Sequence, residues 1–223
     1  MGWFSSFVSG ISGVISGVSS VINSAVSSLG SALSSFASGF LKIAGPYIGP
    51  VMQIVQAVAQ ILGILKPNEK PGELGDRAMR AEKQPEDFDT TAEYIDYLRN
   101  EVEFDKEEFD KLSDKDKMAR SVVGTAILSK AISEKKEFDI SRDTWVTLAK
   151  LYDKGLLSKK DINEFLDEFK DSQIELNEYV DNKLKGKEEI EFESQMAKAY
   201  QKLEPELSPE DIYEKVLSSK VSN

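Results

Sequence analysis

The chain has 223 residues, 30% of them charged and 40% hydrophobic, with a net charge of −11 and neither cysteine nor histidine. That composition removes a disulfide framework, a thiol nucleophile, the Ser-His and Cys-His pairs, and the commonest general base and transition-metal ligand. No cofactor, metal or catalytic residue is expected, the chain does not read as an enzyme, and its acidity argues against a nucleic-acid partner, since phosphate binding rests on Lys and Arg.

The charge is unevenly spread. Residues 1–66 hold Lys42, Lys66 and no acidic side chain, so they carry +2, and the difference from −11 leaves −13 on residues 67–223. Such asymmetry points to two environments.

The N-terminal segment repeats in sevens. Phe4, Ile11, Val18, Ala25 and Ala32 fall in one column, and Val8, Ile15, Ile22, Leu29 and Phe36 in another, with Phe7, Val14 and Val21 beside them. A period-3.5 apolar stripe of this length predicts an amphipathic helix over residues 3–41. Its other face is Ser, Gly and Asn, with no charge before Lys42. Interior glycines each cost about 1 kcal/mol relative to Ala, so the helix needs something to bury against. Gly13 and Gly17 form a G-x-x-x-G, the spacing that lets helices pack closely in lipid. The expected membrane or bundle contacts are Trp3, Phe4, Phe7, Val8, Ile11, Val14, Ile15, Val18, Val21, Ile22, Leu29, Phe36 and Phe40, with Gly13 and Gly17 as packing positions. A straight helix over 3–41 would run about 60 Å, roughly twice a hydrocarbon core, which favours an interfacial, tilted or bent arrangement over a single span.

Gly45, Pro46, Gly49 and Pro50 then predict a hinge, followed by a short helix over 51–65 that is uncharged and apolar except for three glutamines. Residues 1–66 thus read as a helical hairpin arm. No basic residue precedes the apolar stretch and serines interrupt it throughout, so a classical signal peptide is not expected. Met1-Gly2-Trp3-Phe4-Ser5-Ser6 formally fits an N-myristoylation pattern, with a bulky Trp in a poor position for it.

Residues 67–89, with three prolines and two glycines among charges, read as a linker that holds a short helix near 73–83. Residues 90–223 read as an acidic all-helical domain. Thr91, Ser113, Ser141 and Ser208 stand at helix starts, Ser208-Pro209-Glu210-Asp211 being a capping box with a first-turn proline. Met118, Val122, Ile127, Leu128 and Ile132 predict one core face, and Trp145, Leu148, Leu151 and Tyr152 another. Asp153-Lys154-Gly155 ends a helix with a left-handed glycine, and Ser158 opens the next. The intervening loop is no EF-hand, because its third and fifth positions are Gly155 and Leu157. The pairs Asp87/Asp89 and Asp114/Asp116 read as caps and solvated faces, and the recurrent phenylalanines as core.

Two functional expectations follow. The first is a membrane-interacting, oligomeric protein whose arm inserts into or perturbs a bilayer while the acidic part keeps it in solution. That division of labour resembles viral penetration, phage ejection and pore-forming proteins as a type, with a virion or secreted location and action at a target membrane. The second is a structural component of a virion or secretion assembly, whose arms bundle with each other or with a capsid or secretion-apparatus protein.

Overall fold

The computed structural model describes residues 11–172 and 175–220. The fold is all-α, with no strand among the described residues. The chain divides into two compact units between Arg142 and Asp143.

In the first unit, α1 (Ile11–Ser24), α2 (Val26–Ala44), α3 (Ile48–Ile61), α4 (Pro71–Arg80), α5 (Thr91–Glu101) and α6 (Lys106–Lys111) precede α7 (Asp114–Lys136). Local chemistry sets most starts in its acidic half. The Thr90 side chain accepts the Glu93 N–H, Asp105 those of Glu107 and Glu108, and Ser113 that of Asp116. These side-chain oxygens satisfy donors that the first helical turn leaves unpaired. Helix α7 is the centre of the unit: α1, α2, α3, α4 and α5 all pack on it. Every residue from Val122 to Ser129 is buried, so the helix is covered all round along its middle.

Three expectations change here. Where the sequence predicts one helix over 3–41, the chain breaks at Ala25 and bends again at Gly30 (φ 71°, ψ 158°). The bend brings Ser38 Oγ 3.3 Å from Asn23 Oδ1, to which it donates. The cause is tertiary. With 23 residues, α7 is about 35 Å long at 1.5 Å per residue. A helix over 3–41 would overrun it, and folding back lets both halves bury on the same partner. Glycine permits the turn at position 30, both by its positive φ and because a Cβ there would meet the Glu86 carboxylate.

The expected hinge over 45–50 is smaller than its four residues suggest. Gly45–Tyr47 form one 3-10 turn that runs directly into α3, which places Gly49 and Pro50 inside the first turn of that helix. The short helix accordingly spans Ile48–Ile61 instead of 51–65.

The stretch 67–89 is not a free linker, because Pro71, Gly72, Leu74, Gly75, Asp76 and Ala78 of α4 are buried. Helices α4 and α7 approach through glycine. A Cβ on Gly75 would lie 2.7 Å from the Arg120 carbonyl carbon and 2.8 Å from Gly124 N, and one on Gly124 would lie 2.6 Å from the Pro71 carbonyl carbon. The fully buried Asp76 closes this crossing: Arg120 Nε donates to its Oδ1 at 2.6 Å, and Arg80 Nε stands 3.1 Å from Oδ2 as an ion pair. Arg77, one residue on, donates from Nη1 to the carbonyls of Leu98, Arg99 and Val102 at 3.0, 3.1 and 2.6 Å. It thereby covers acceptors that the end of α5 leaves open.

The second unit comprises α8 (Arg142–Asp153, from its second residue), α9 (Ile162–Glu168), α10 (Leu176–Val180), α11 (Lys187–Leu203) and α12 (Pro209–Ser219). The Gly155 cap (φ 72°) and the Ser208 capping box stand where the sequence places them, whereas α9 begins at Ile162, four residues after Ser158. Phe165, Phe169, Phe192, Tyr179 and Tyr200 form one aromatic cluster with centroid separations of 4.9–5.7 Å. Lys220 tethers the end of this unit, donating to Glu189 and Glu193 at 2.6 and 2.8 Å, with its ammonium 4.7 Å from the Tyr179 ring centre.

Candidate functional site: an uncharged collar around a buried helix

The segment from 11 to 65 carries one charged side chain, Lys42. Its helices form a collar on α7, and the apolar stripe faces inward. Val18, Ile22, Leu29, Ala37, Phe40, Ala44, Val51, Ile54, Val55 and Val58 are fully buried. At about 25 cal/mol per Å² of apolar surface, several kcal/mol of burial hold this collar in place. The partner that the weak helix formers require is therefore present in the same chain.

The predicted contact residues divide accordingly. Trp3, Phe4, Phe7 and Val8 lie outside the described residues. Ile11 opens α1; Val14, Ile15, Val21 and Phe36 are half-buried; Val18, Ile22, Leu29 and Phe40 are core. The structure brings Ile22, Leu29 and Phe40 into the interior of one unit and leaves Gly13 exposed with open space at its Cβ direction. Gly17 does not meet another helix backbone here; the aliphatic stem of Lys115 lies over it, with Cδ at 2.9 Å from a built Cβ.

The outward face is the unusual part. Its exposed positions include Ser16, Ser20, Asn23, Ser24, Ser27, Ser31, Ser35 and the single charge Lys42, with Val26, Ile43 and Ile61 protruding at 44%, 40% and 53% exposure. Among the described residues of the first unit these three are the exposed large hydrophobics, and all belong to α2 and α3. An almost uncharged, partly apolar face on a protein of net charge −11 is a surface that loses little hydration free energy on leaving water.

Among the described residues, polar bonds fasten the collar near its bend and at its C-terminal end, where Arg99 Nη2 donates to the Ile64 carbonyl at 2.7 Å. Ser28 Oγ donates to the Met79 carbonyl at 3.0 Å, and Gln84 Nε2 donates to the Ser27 carbonyl at 2.7 Å. Lys135 Nζ donates at 2.7 Å to the Leu62 carbonyl, placing a cation at the C-terminal end of α3, where the helix dipole favours it. The Arg142 guanidinium lies 5.4 Å from the Phe36 ring centre. Sequence reasoning missed Gln84, Lys115, Lys135 and Arg142, since nothing in a lone polar residue 50 to 100 positions away marks it as a fastening. The small-residue row Gly72, Gly75, Ala78 is the signal that could have marked α4 as a packed helix.

No helix among the described residues is long and apolar enough to cross a membrane, and no group of three or more Asp and Glu side chains among them is placed to hold a metal ion. Comparison with family models, curated proteins and solved structures returns no match for this chain.

Proposed function

We propose that this is a conditionally bilayer-active protein, whose uncharged collar is stowed on α7 in water and spreads in the interface of a target membrane. The observation that carries the reading is the face just described: one charge in 55 positions, with Val26, Ile43 and Ile61 pointing outward. A charged surface helix must strip its ions of water to enter a bilayer interface; a Ser, Gly and Asn face has far less to lose. Among the described residues no helix is long and apolar enough to span, and the proposed mode is interfacial, with the apolar stripe exchanging α7 for acyl chains. The acidic remainder of the chain repels anionic headgroups, which favours neutral lipid and turns the collar toward it. Self-association of released arms through Gly13 and Gly17 belongs to the same reading, as does delivery from a virion or by secretion.

The test uses the absence of native cysteine. Gly17→Cys with Lys115→Cys places two thiols where α1 meets α7. The expected result is dye release from neutral vesicles by the parent and by the reduced pair, and none from the oxidised pair. Leakage unaffected by the crosslink overturns the release step. No vesicle flotation or leakage by any form, with a fixed oligomer in the absence of lipid, moves the assignment to the structural-assembly reading.

A further inference from the structure

In the second unit the outward face of α12 is apolar and acidic at once. Tyr213 and Leu217, 57% and 42% exposed, stand four residues apart on one row of the helix. Glu210 and Glu214, exposed and likewise four apart, form the adjoining row. Past that row, Asp211, Glu214 and Ser218 border a shallow cleft of about 360 Å³, whose other wall includes Leu156, Glu204 and Leu207.

The cations near this helix are engaged elsewhere. Lys215 pairs with Glu204, its ammonium 4.9 Å from the Tyr200 ring centre. Lys220, just past the helix end, donates to Glu189 and Glu193 of α11. Lys154 Nζ donates to the Ser218 and Lys220 carbonyls, where the helix dipole is negative. Among the described residues no basic side chain pairs with Glu210 or Glu214. A solvated helix face ordinarily sets Lys or Arg one turn from its carboxylates. Here the carboxylates are left uncompensated, with two large apolar side chains beside them.

We infer that this face docks a basic amphipathic helix of a partner protein. Its apolar residues pack on Tyr213 and Leu217, and its Lys or Arg side chains, one turn apart, meet Glu210 and Glu214. Both rows of α12 repeat at about 6 Å, four residues at 1.5 Å, which is the repeat of an i, i+4 row on an incoming helix. Tyr213 supplies an aromatic anchor of the kind enriched at interfaces. Charge complementarity chooses among occupants. A second copy of the chain carries the same net charge of −11, and an anionic bilayer the same sign, so both are repelled where a basic segment is attracted. This face is no part of the collar, and its occupant is a protein segment and not a bilayer.

The test titrates the nitrogen-labelled full chain, at physiological ionic strength, with a five-turn Leu-Lys peptide whose leucines fall on one helical face. A scrambled peptide of the same composition and a Leu-Glu peptide are the comparisons. The Leu-Lys peptide is expected to shift the amides of α12, and the Leu-Glu peptide is expected not to bind. Tyr213→Ala with Leu217→Ala is expected to weaken binding about tenfold, through two truncated apolar contacts. Glu210→Gln with Glu214→Gln is expected to weaken it about fivefold, through two exposed ion pairs. Glu101→Gln with Glu103→Gln makes the same change of charge on the first unit and is expected to leave affinity unchanged. All six substituted side chains are exposed, so the fold is retained. Equal affinity for the scrambled peptide, unshifted α12 amides, or an equal loss in the Glu101 and Glu103 variant overturns the site. Self-association or vesicle binding that shifts the same amides without peptide reassigns the face to a second copy or to lipid, and overturns it as well.

Discussion

Replacing Gly75 by alanine examines one of the two most confined glycines of the α4–α7 crossing. The added Cβ would stand 2.7 Å from the Arg120 carbonyl carbon, against roughly 3.5–4.0 Å for a relaxed carbon–carbon contact. The Arg120 carbonyl oxygen is closer still and all the obstacles are backbone, so no side chain can swing away, and α4 must retreat from α7 by more than about 1 Å. That retreat takes Asp76 Oδ1 from 2.6 Å to beyond hydrogen-bond reach of Arg120 Nε while the carboxylate stays buried. Arg80 moves with α4 and keeps its ion pair to Asp76, so losing the Arg120 bond costs about 1.5–3 kcal/mol, the forced overpacking adds about 1–3, and the better helix propensity of alanine returns about 1, leaving a net loss of about 2–4 kcal/mol. For a unit of this size the melting temperature falls by about 6–12 °C. Scanning calorimetry, with amide exchange across α7 to assign the transition, measures it. Gly13→Ala is the matched control: open space surrounds that position, so the same change is expected to stabilise by up to about 1 kcal/mol. If Gly75→Ala melts with or above the parent, the glycine-mediated crossing is not what sets the distance between α4 and α7.

Two further outcomes are expected. Arg77→Met keeps the stem but removes the guanidinium from the Leu98, Arg99 and Val102 carbonyls, and is expected to cost about 1.5–3 kcal/mol in urea unfolding, with the end of α5 exchanging its amides first; protection unchanged there would refute the capping role. Burial alone would raise the Glu69 carboxyl, but bonds from Arg99 and the Lys66 N–H, with their charges, more than offset it and hold the group below its ordinary value of 4.5. A lowered folded value means the stabilisation is fully present above pH 4.5 and is lost as pH falls from there through the lowered folded value. The melting temperatures of parent and Glu69→Gln should therefore differ at neutral pH and converge in acid; a gap that persists unchanged at low pH would show that ionisation of Glu69 contributes nothing.

The sequence by itself determined the helical class, the absence of acidic side chains from residues 1–66, and the starts of α5, α7, α8 and α12, while those of α6, α9, α10 and α11 were not marked. Those features are local: a seven-residue apolar period and a side-chain oxygen three residues from an open N–H act over a single turn. It also marked Val18, Ile22, Leu29 and Phe40 as residues that must be covered, because their spacing puts them on one face. What covers them was decided only by tertiary structure. Nothing local distinguishes a stripe that seeks lipid from one that seeks α7, which lies about a hundred residues away and is itself buried all round. The same holds for α4, expected as a short helix within a linker, whose Gly72 and Gly75 show their packing role only when the backbone of α7 is placed against them. The break at Ala25 and the turn at Gly30 belong to this class as well: serine and glycine allow the chain to fold back, and the finite length of α7 makes it do so.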